Sequence, residues 1–452
     1  MIGIQEYIKK KQNIILELKN SNSDSISINK KTSNLFRSRD NSSSKINVKD
    51  FNNVISIDTH NLVAEVEGMC TYETLVDECL KFNLMPAVVP ELKTITIGGA
   101  STGVGIESSS FKFGFVHETI LEMEVLLSDG SVVLCNDKSN KDLFFGFPNS
   151  YGTFGYALKI KVKLVPVKKF VRLNHIKYSD SKKFFYDLNK FCLQYRNDNL
   201  VDFIDGVVFN ENDMYITLAN FVDEASFISD YKFMNIYYKS IKEKDVDYLT
   251  ALDYIWRWDY DWFWCSKHFL VQNKLFRLLL GKFMLKSSKY WKIMFFNRKY
   301  KLTEKFEKVF GKKYFTESVV QDVEIPVKNA VKFLDFFNKD IGIKPVWVCP
   351  AMKYNRKVDY SLYSTDHDTL YINFGFWDVV KTKEQFPVGY FNKKIESMVK
   401  KLHGKKSLYS DSFYNEEEFW ELYNSKVYSK LKKKYDSLKK LKTLYQKCVL
   451  RK

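Results

Sequence analysis

The sequence predicts an α+β fold made of two β-rich halves that each carry helices. In the first half, two apolar segments flank the turn residues Asp129 and Gly130, a spacing that is typical of a β-hairpin. In the second half, longer units alternate, as in Phe184–Tyr195 (helical spacing), Leu200–Asn210 and Asp213–Phe221 (strands). At 452 residues, the chain is long enough for two or three domains with buried cores.

Composition and charge narrow the class of protein. The chain has 71 basic and 54 acidic residues, a net charge of +17, and such charge points to an anionic partner only where it is clustered. The seven cysteines are scattered without metal-binding spacing, which predicts reduced thiols in the cytoplasm and no metal site. No apolar run reaches the roughly 18 residues that a membrane span needs, so we expect no transmembrane segment. No recognition module for nucleic acid accompanies the charge, and nucleic acid is not expected as a partner.

The first elements follow from local patterns. Residues 1–30 contain a helix candidate and then a polar linker, the Ser- and Asn-rich stretch Asn20–Asn29. Alternation of apolar and polar residues predicts strands at Val54–Asp58 and Val63–Glu67. The segment Thr71–Phe82 has helical spacing, and its first residue is a suitable N-cap.

The most informative segment is Lys93–Gly114, with the sequence KTITIGGASTGVGIESSSFKFG. Its β-branched run, Thr94–Ile97, predicts a strand that breaks into closely spaced glycines. Such glycines let the backbone approach a ligand and point N–H groups at phosphate or ring oxygens. The spacing differs from the G-x-G-x-x-G fingerprint, and simple turn chemistry is the alternative. The candidate binding residues are Thr96, Ile97, Gly98, Gly99, Ala100, Ser101, Thr102, Gly103, Val104, Gly105, Ile106, Glu107 and Ser108.

Two further glycines, Gly152 and Gly155, precede another predicted strand in Phe147–Lys161 (FPNSYGTFGYALKIK) and join the candidate binding residues. The order of TIGG, glycine loop, strand–Asp-Gly–strand and G-x-x-G–strand resembles the flavin-binding domain of the p-cresol methylhydroxylase (PCMH) and vanillyl-alcohol oxidase superfamily. The finer resemblance is to its Δ24-sterol reductase-like branch, which includes soluble bacterial relatives that resemble methylene-fatty-acyl reductases.

The resemblance continues beyond the flavin-binding half in VVQDVEIP (Val319–Pro326), IGIKPVWVCP (Ile341–Pro350) and HGKKSLYSDSFYNEEEFW (His403–Trp420). It implies a PCMH-type FAD-binding domain with a shortened N-terminal subdomain, followed by an α+β substrate or cap domain. The predicted regions are an N-terminal helix and polar linker (1–30), the FAD-binding domain (31–167), the substrate or cap domain (168–400) and a helical, lysine-rich C-terminal region (401–452).

The resemblance implies FAD as cofactor and NADPH as its reductant. Some relatives attach FAD through a histidine in the N-terminal loop, but no histidine precedes His60, so we expect non-covalent FAD. The basic and polar loop Lys31–Arg37 (KTSNLFR) is a candidate for phosphate contacts, with a solvated loop as the alternative.

The catalytic candidates are His403, Tyr409 and Asp411, which the resemblance places near the flavin as proton donor or its orienting partner. The three glutamates that follow, Glu416–Glu418, equally suit the start of a helix. His117 is a weaker candidate for the flavin face, because a structural histidine explains it as well.

Two segments of the second half are unusual. Tyr254–Cys265 (YIWRWDYDWFWC) holds four tryptophans, which indicate either a stacked core or a wall of a lipid or flavin pocket. The segment 262–303 contains ten basic residues and no acid, interleaved with apolar residues. This pattern favours an amphipathic contact with an anionic membrane surface over a lysine-rich helix face in solvent, so we expect peripheral membrane association.

The function implied by the resemblance is the reduction of an isolated carbon–carbon double bond in a lipid. The substrate is either a sterol side chain or a methylene-branched fatty acyl chain of a phospholipid. Two further alternatives are an alcohol oxidase of the superfamily and a non-catalytic carrier of flavin or lipid.

Overall fold

The computed structural model describes residues 1–21, 23–33, 36, 44–269, 271–284 and 314–452. Two large antiparallel sheets organise them, and a small N-terminal layer packs beside the first sheet. The layer consists of α1 (Ile4–Lys19) and the parallel strands β1 (Ile26–Asn29) and β2 (Ser44–Asn47). β1 lies inside the predicted polar linker, because the burial of Ile26 stabilises a strand there.

The first sheet belongs to the first predicted half. Its strands are β3 (Val54–Asp58), β4 (Val63–Glu67), β5 (Leu84–Pro86), β6 (Ile120–Leu126), β7 (Val132–Asn136) and β8 (Tyr156–Pro166). The strand order is β3-β4-β8-β6-β7, with β5 paired to the end of β8. The predicted hairpin is confirmed, since β6 and β7 pair and Gly130 has a φ of +86° in their turn. The helices are α2 (Tyr72–Leu80), α3 (Ile97–Thr102), α4 (Ser110–Phe113) and α5 (Lys141–Gly146).

The second sheet follows directly after β8, so the predicted boundary at residue 167 lies between strands of different sheets. Its strands are β9 (Phe170–Tyr178), β10 (Phe203–Asn210), β11 (Asp213–Val222), β12 (Val246–Thr250), β13 (Phe315–Pro326), β14 (Val346–Ala351), β15 (Tyr371–Thr382) and β16 (Lys405–Lys406). Their order is β12-β9-β11-β10-β14-β15-β13-β16. The helices are α6 (Ser181–Tyr195), α7 (Tyr237–Ser240), α8 (Ala251–Ile255), α9 (Lys274–Met284), α10 (Val327–Asp340) and α11 (Tyr390–Lys401). The apolar side chains of α6, α10 and α11 bury one face of this sheet.

The C-terminal region contains the helices α12 (Glu416–Leu422), α13 (Ser425–Tyr435) and α14 (Leu444–Cys448). The residues after α13 return to the N-terminal layer. Leu441 shares a buried cluster with Ile26 and Tyr156, and the N–H of Ile26 donates to the carbonyl of Lys440 at 3.0 Å. The two ends of the chain therefore build one wall of the first half.

The strand predicted at Thr94–Ile97 is wrong. Thr96 forms only an isolated bridge with Thr71, and α3 begins at the next residue. The reason is a cap: the Thr96 hydroxyl accepts the N–H of Gly99 at 3.2 Å, which stabilises the start of a helix despite the β-branched sequence.

A left-handed turn, Asp261–Phe263, follows α8. Its three residues have φ values of +66°, +45° and +58°, a conformation that costs on the order of 1 kcal/mol or more for each residue. Arg277 of α9 holds the turn, since two of its guanidinium nitrogens each donate to an Asp261 carboxylate oxygen at 2.6 Å and both side chains are buried. Residues 285–303 of the predicted basic segment lie outside the described residues. Among the described helices, none is long and apolar enough to cross a membrane.

Candidate active site

A cavity of about 340 Å³ lies between the two sheets. The glycine-rich segment around α3 forms one side of it, and β13, β14 and β15 of the second sheet form another. Residues from β1, β2 and the C-terminal region complete the lining. The cavity thus brings together four parts of the chain that are far apart in sequence.

Most of the predicted binding residues line this cavity. They are Thr96, Gly98, Gly99, Ala100, Thr102, Gly103, Val104, Gly105, Ile106 and Gly152. At Gly98, a Cβ atom would lie 2.5 Å from the carbonyl oxygen of Gly68, so no larger residue fits without a backbone shift. The glycines of this segment leave backbone at the cavity wall, which suits close contact with a flat or phosphorylated ligand.

The other predicted binding residues, Ile97, Ser101, Glu107, Ser108 and Gly155, are absent from the cavity lining. Glu107 instead belongs to a buried cluster, with an Arg257 nitrogen 2.8 Å from its carboxylate and 3.0 Å from that of Asp205. Burial raises the pKa of Glu107 to about 7. Since Asp205 lies on β10, this cluster ties the glycine-rich segment to the second sheet.

The tryptophan-rich segment forms both core and cavity wall. Trp256, Trp258 and Trp264 are fully buried, whereas Trp262 and Phe263 of the left-handed turn line the cavity. Together with Trp347 and Trp377, these two residues make an aromatic wall, in which the Phe263 ring centroid lies 4.2 Å from that of Trp377. The wall offers a large apolar surface with few rotatable bonds.

Asp322 lies beside the aromatic wall on β13. It faces Gly375 of β15, which in turn faces Trp347 of β14, so the three residues form one row across the sheet. A Cβ atom at Gly375 would lie 2.7 Å from an Asp322 carboxylate oxygen. The glycine therefore leaves the space that the carboxylate occupies.

Asp322 is paired with Tyr409. The Tyr409 hydroxyl donates to one Asp322 oxygen at 2.7 Å, and the Asn373 amide donates to the other at 2.9 Å. The indole N–H of Trp377 donates to the Tyr409 oxygen at 2.8 Å. Burial raises the pKa of Asp322 to about 6, so a modest drop in pH protonates this buried carboxylate. Burial and the Asp322 charge hold the pKa of Tyr409 well above its ordinary value.

A second acid, Glu91, lines the cavity from the loop before α3. Its side chain is buried, and within the described part of the chain no group donates a hydrogen bond to its Oε1 atom. Burial, reinforced by the nearby Glu107 charge, raises its pKa well above the ordinary value. The orphaned oxygen is available to a ligand.

The structure separates the three catalytic candidates. Tyr409 lines the cavity, whereas His403 and Asp411 are absent from its lining. His403 is exposed in a turn after α11, and the Asp411 carboxylate lies 3.4 Å from the Arg451 guanidinium. His117 is buried outside the lining against Tyr360, with ring centroids 4.4 Å apart, and burial lowers its pKa to about 3.

Sequence reasoning missed Glu91, Asp322, Trp347 and Trp377 as site residues. Asp322 and Trp347 lie inside two motifs that carried the family resemblance, VVQDVEIP and IGIKPVWVCP. The available signal for Asp322 was an acid among the valines of VVQDVEIP, because a carboxylate is seldom buried without a role or a partner.

Lysines form the remaining part of the lining, which we call the basic wall: Lys30, Lys45, Lys442, Lys447 and Lys452. Thr32 and Ser33 of the predicted phosphate loop lie in the same cavity, and residues 34, 35 and 37 of that loop lie outside the described residues. The Thr32 hydroxyl donates to the carbonyl of Thr94 at 3.1 Å, which connects this loop to the glycine-rich segment.

Comparison with known proteins agrees with this geometry. Residues 12–136 match the family model described as FAD binding domain. The chain is 27% identical over 405 residues to the Delta(24)-sterol reductase of Homo sapiens, covering 86% of this chain and 74% of that protein. It is 24% identical over 442 residues to the enzyme of the same name from Pisum sativum, covering 89% and 76%. Cytokinin dehydrogenase 1 of Arabidopsis thaliana is 27% identical over 151 residues, covering 33% of this chain and 26% of that protein.

The lining residues fit FAD. The glycine-rich segment offers backbone for close approach, the aromatic wall suits a flat ring system, and the basic wall suits a diphosphate. The orphaned Oε1 of Glu91 suits an N–H group of the ligand.

Gly103→Val should abolish stoichiometric FAD binding. A Cβ atom at this position already lies 3.1 Å from the carbonyl of Gly99 and 3.6 Å from the Tyr151 hydroxyl, so two further methyl groups would enter the cavity. The flavin content of the purified protein, measured after denaturation, checks this. Gly3→Val is the matched control, because nothing lies within 4 Å of a Cβ there. Full FAD content in Gly103→Val would contradict the assignment of this segment.

Proposed function

The chain belongs to the FAD-linked, Δ24-sterol reductase-like oxidoreductases, and we propose that it reduces an isolated carbon–carbon double bond of a lipid with electrons from NADPH. The observation that carries this proposal is the Asp322–Tyr409 pair beside the aromatic wall. It provides an acid next to a large apolar surface, in a cavity whose glycine-rich side suits FAD.

An isolated double bond has no carbonyl group that could stabilise negative charge after hydride addition. One carbon must therefore receive a proton while the other receives hydride, which requires an acid held close to a fixed alkene. Reduced FAD, when bound, supplies the hydride. The protein has to supply the proton, the orientation and the exclusion of water.

We assign proton delivery to Tyr409, with Asp322 as its source. The hydroxyl gives its proton to one alkene carbon, and a protonated Asp322 returns a proton to the phenolic oxygen across their 2.7 Å hydrogen bond. The Trp377 N–H, donating to the same oxygen at 2.8 Å, stabilises the negative charge that develops on it. The pKa of Asp322, about 6, keeps part of the population protonated near neutral pH.

The aromatic wall accounts for a lipid substrate. Trp262, Phe263 and Trp347 present an apolar surface that cannot hydrogen-bond a sugar or a small alcohol along most of its area. A sterol side chain is the first candidate substrate. A methylene-branched acyl chain of a phospholipid presents the same isolated alkene and is the second.

We further propose that α9 brings the enzyme to an anionic membrane surface. Four of its apolar side chains face solvent: Leu275, Phe276, Leu278 and Leu279 are 65%, 45%, 61% and 75% exposed. The helix belongs to the acid-free basic segment 262–303, whose charge suits anionic headgroups. The Arg277–Asp261 ion pair joins α9 to the left-handed turn and so connects the apolar helix face to the cavity wall.

The substrate proposal predicts a gain of two hydrogens in a lipid. Cells that express the chain are supplied either with a Δ24-unsaturated sterol or with a lipid bearing a methylene-branched acyl chain. Mass spectrometry of the extracted lipids should show reduction of one of these substrates, and the same cells with Gly103→Val should not show it. An unchanged alkene in both arms, together with oxidation of an added alcohol, would instead favour an oxidase.

The proton-delivery proposal predicts that Tyr409→Phe slows alkene reduction roughly a hundredfold or more while reduction of the flavin by NADPH is retained. Since Asp322 must be protonated, alkene reduction should also fall as the pH rises through about 6, and this dependence should flatten in Asp322→Asn. Stopped-flow absorbance separates the two half-reactions.

Tyr414→Phe is the control for Tyr409→Phe, because Tyr414 is a buried tyrosine outside the cavity lining. Parental alkene reduction in Tyr409→Phe, with a large loss in His403→Gln or Asp411→Asn, would move the proton donor to those residues.

The membrane proposal predicts that Leu278→Gln/Leu279→Gln binds phosphatidylglycerol vesicles roughly a hundredfold more weakly, because each of the two exposed leucines contributes about 1.5 kcal/mol when buried in lipid. Binding of the parent should weaken with salt, since electrostatic attraction is screened over about 8 Å at physiological ionic strength. Leu193→Gln/Leu200→Gln is the control, with leucines that are 55% and 69% exposed elsewhere. Equal vesicle binding by both variants would reject α9 as the membrane contact.

A further inference from the structure

We propose that the C-terminal residues Lys442, Lys447 and Lys452 bind the diphosphate of FAD, so that the C-terminal segment is part of the cofactor site. This inference rests on FAD as the ligand of the cavity and is independent of the reaction that the flavin performs. It assigns a role to a lysine-rich region that neither the family model at residues 12–136 nor the glycine-rich segment includes.

The three lysines line the same cavity as the glycine-rich segment and the phosphate-loop residues Thr32 and Ser33. The Lys447 ammonium donates to the carbonyl of Tyr151 at 2.7 Å, and the N–H of Tyr151 donates to the carbonyl of Thr102 at 3.1 Å. One residue therefore connects the C-terminal lysine to the end of α3, where the backbone forms the cavity wall.

Most charged residues of the cavity lining are basic. Of the described residues that line the cavity, five are lysines and two, Glu91 and Asp322, are acids. Burial raises the pKa of both acids, and the Asn373 amide of the second sheet donates a hydrogen bond to Asp322. An anionic ligand is the natural complement of such a lining, and the diphosphate is the anionic part of FAD.

Hydrogen bonds hold the segment that carries the lysines in place. The Lys432 ammonium donates to the carbonyls of Thr153 and Leu441 at 2.8 Å each, and the carbonyl of Lys442 accepts at 3.3 Å. Thr443 and Gln446 form a reciprocal cap at the start of α14. Leu441 is buried between these contacts. These contacts fix the turn that carries Lys442 and Lys447, and the N–H of Lys452 donates to the carbonyl of Gln446 at 3.0 Å.

The N-terminal layer lies on the same wall as the C-terminal segment. Among the described residues, this layer contributes Lys30, directly after β1, and Lys45 of β2 to the cavity lining. The N–H of Ile26 on β1 donates to the carbonyl of Lys440, so the C-terminal segment extends the same wall. The lysines that follow supply the remaining positive charge.

The test compares two ligands that share the ring but differ in the diphosphate. The full-length apoprotein carrying Lys442→Gln/Lys447→Gln/Lys452→Gln is titrated with FAD and with riboflavin, and binding is followed by flavin fluorescence. We expect the dissociation constant for FAD to rise at least tenfold, while that for riboflavin stays at the parental value. The salt dependence of FAD binding should also decrease, because fewer ionic contacts remain.

Two variants sharpen this test. Lys442→Gln/Lys452→Gln leaves the Lys447–Tyr151 contact intact and should still weaken FAD selectively. Lys426→Gln/Lys430→Gln/Lys433→Gln removes the same charge from exposed positions of α13 outside the cavity lining and should bind FAD as the parent does.

Three results would overturn the inference. Unchanged FAD affinity in the triple variant would leave the lysines a solvated surface. Equal loss of riboflavin and FAD would make their role structural. Normal FAD affinity with a raised KM for NADPH would assign them to the nicotinamide dinucleotide.

Discussion

The buried cluster of Arg257, Glu107 and Asp205 fixes the relation between the two halves of the molecule. One guanidinium nitrogen contacts a carboxylate from the glycine-rich segment at 2.8 Å and a carboxylate from the second sheet at 3.0 Å. The Trp347 indole donates to the same Asp205 carboxylate at 3.2 Å, so the cluster also positions the aromatic wall. Without the arginine, two buried carboxylates would remain without a counter-charge, a change that costs about 3–5 kcal/mol in comparable sites. The cluster therefore joins the glycine-rich segment to the aromatic wall, which are two sides of the cavity.

The cavity has three kinds of wall, and each has a different chemical property. Backbone without side chains allows close approach, aromatic rings exclude water, and lysines attract negative charge. Asp322 and Tyr409 lie beside the aromatic wall, and the missing side chain of Gly375 leaves space for the Asp322 carboxylate. A polar pair in such surroundings keeps a proton within reach of an apolar substrate, which an isolated alkene requires and a flavin carrier does not.

Local patterns predicted much of the fold. The Asp129-Gly130 turn predicted the hairpin, and the alternation of apolar and polar residues predicted strands β3 and β4, because local sequence determines these elements. The strand prediction for Thr94–Ile97 was wrong because the Thr96 side chain caps a helix there, and this cap outweighs the β-propensity of the sequence. The FAD contacts of the glycine-rich segment were identifiable from residue type and remain predictions, as do the catalytic roles.

The remaining site residues depend on tertiary contacts that one sequence does not display. Asp322 and Trp347 are neighbours across strands, and the register that aligns them with Gly375 is not visible from spacing along the chain. Lys442 and Lys447 follow Lys440, whose carbonyl accepts the N–H of Ile26 on β1, and this contact joins segments that lie more than 400 residues apart.

The most direct test of the account is a single anaerobic turnover. Enzyme whose FAD has been reduced with one equivalent of NADPH is mixed with an unactivated alkene lipid, while flavin absorbance and the mass of the lipid are followed together. The account predicts that the flavin is re-oxidised and that one lipid gains two hydrogens for each flavin re-oxidised. A flavin that NADPH does not reduce, or that stays reduced with the lipid unchanged, would contradict it.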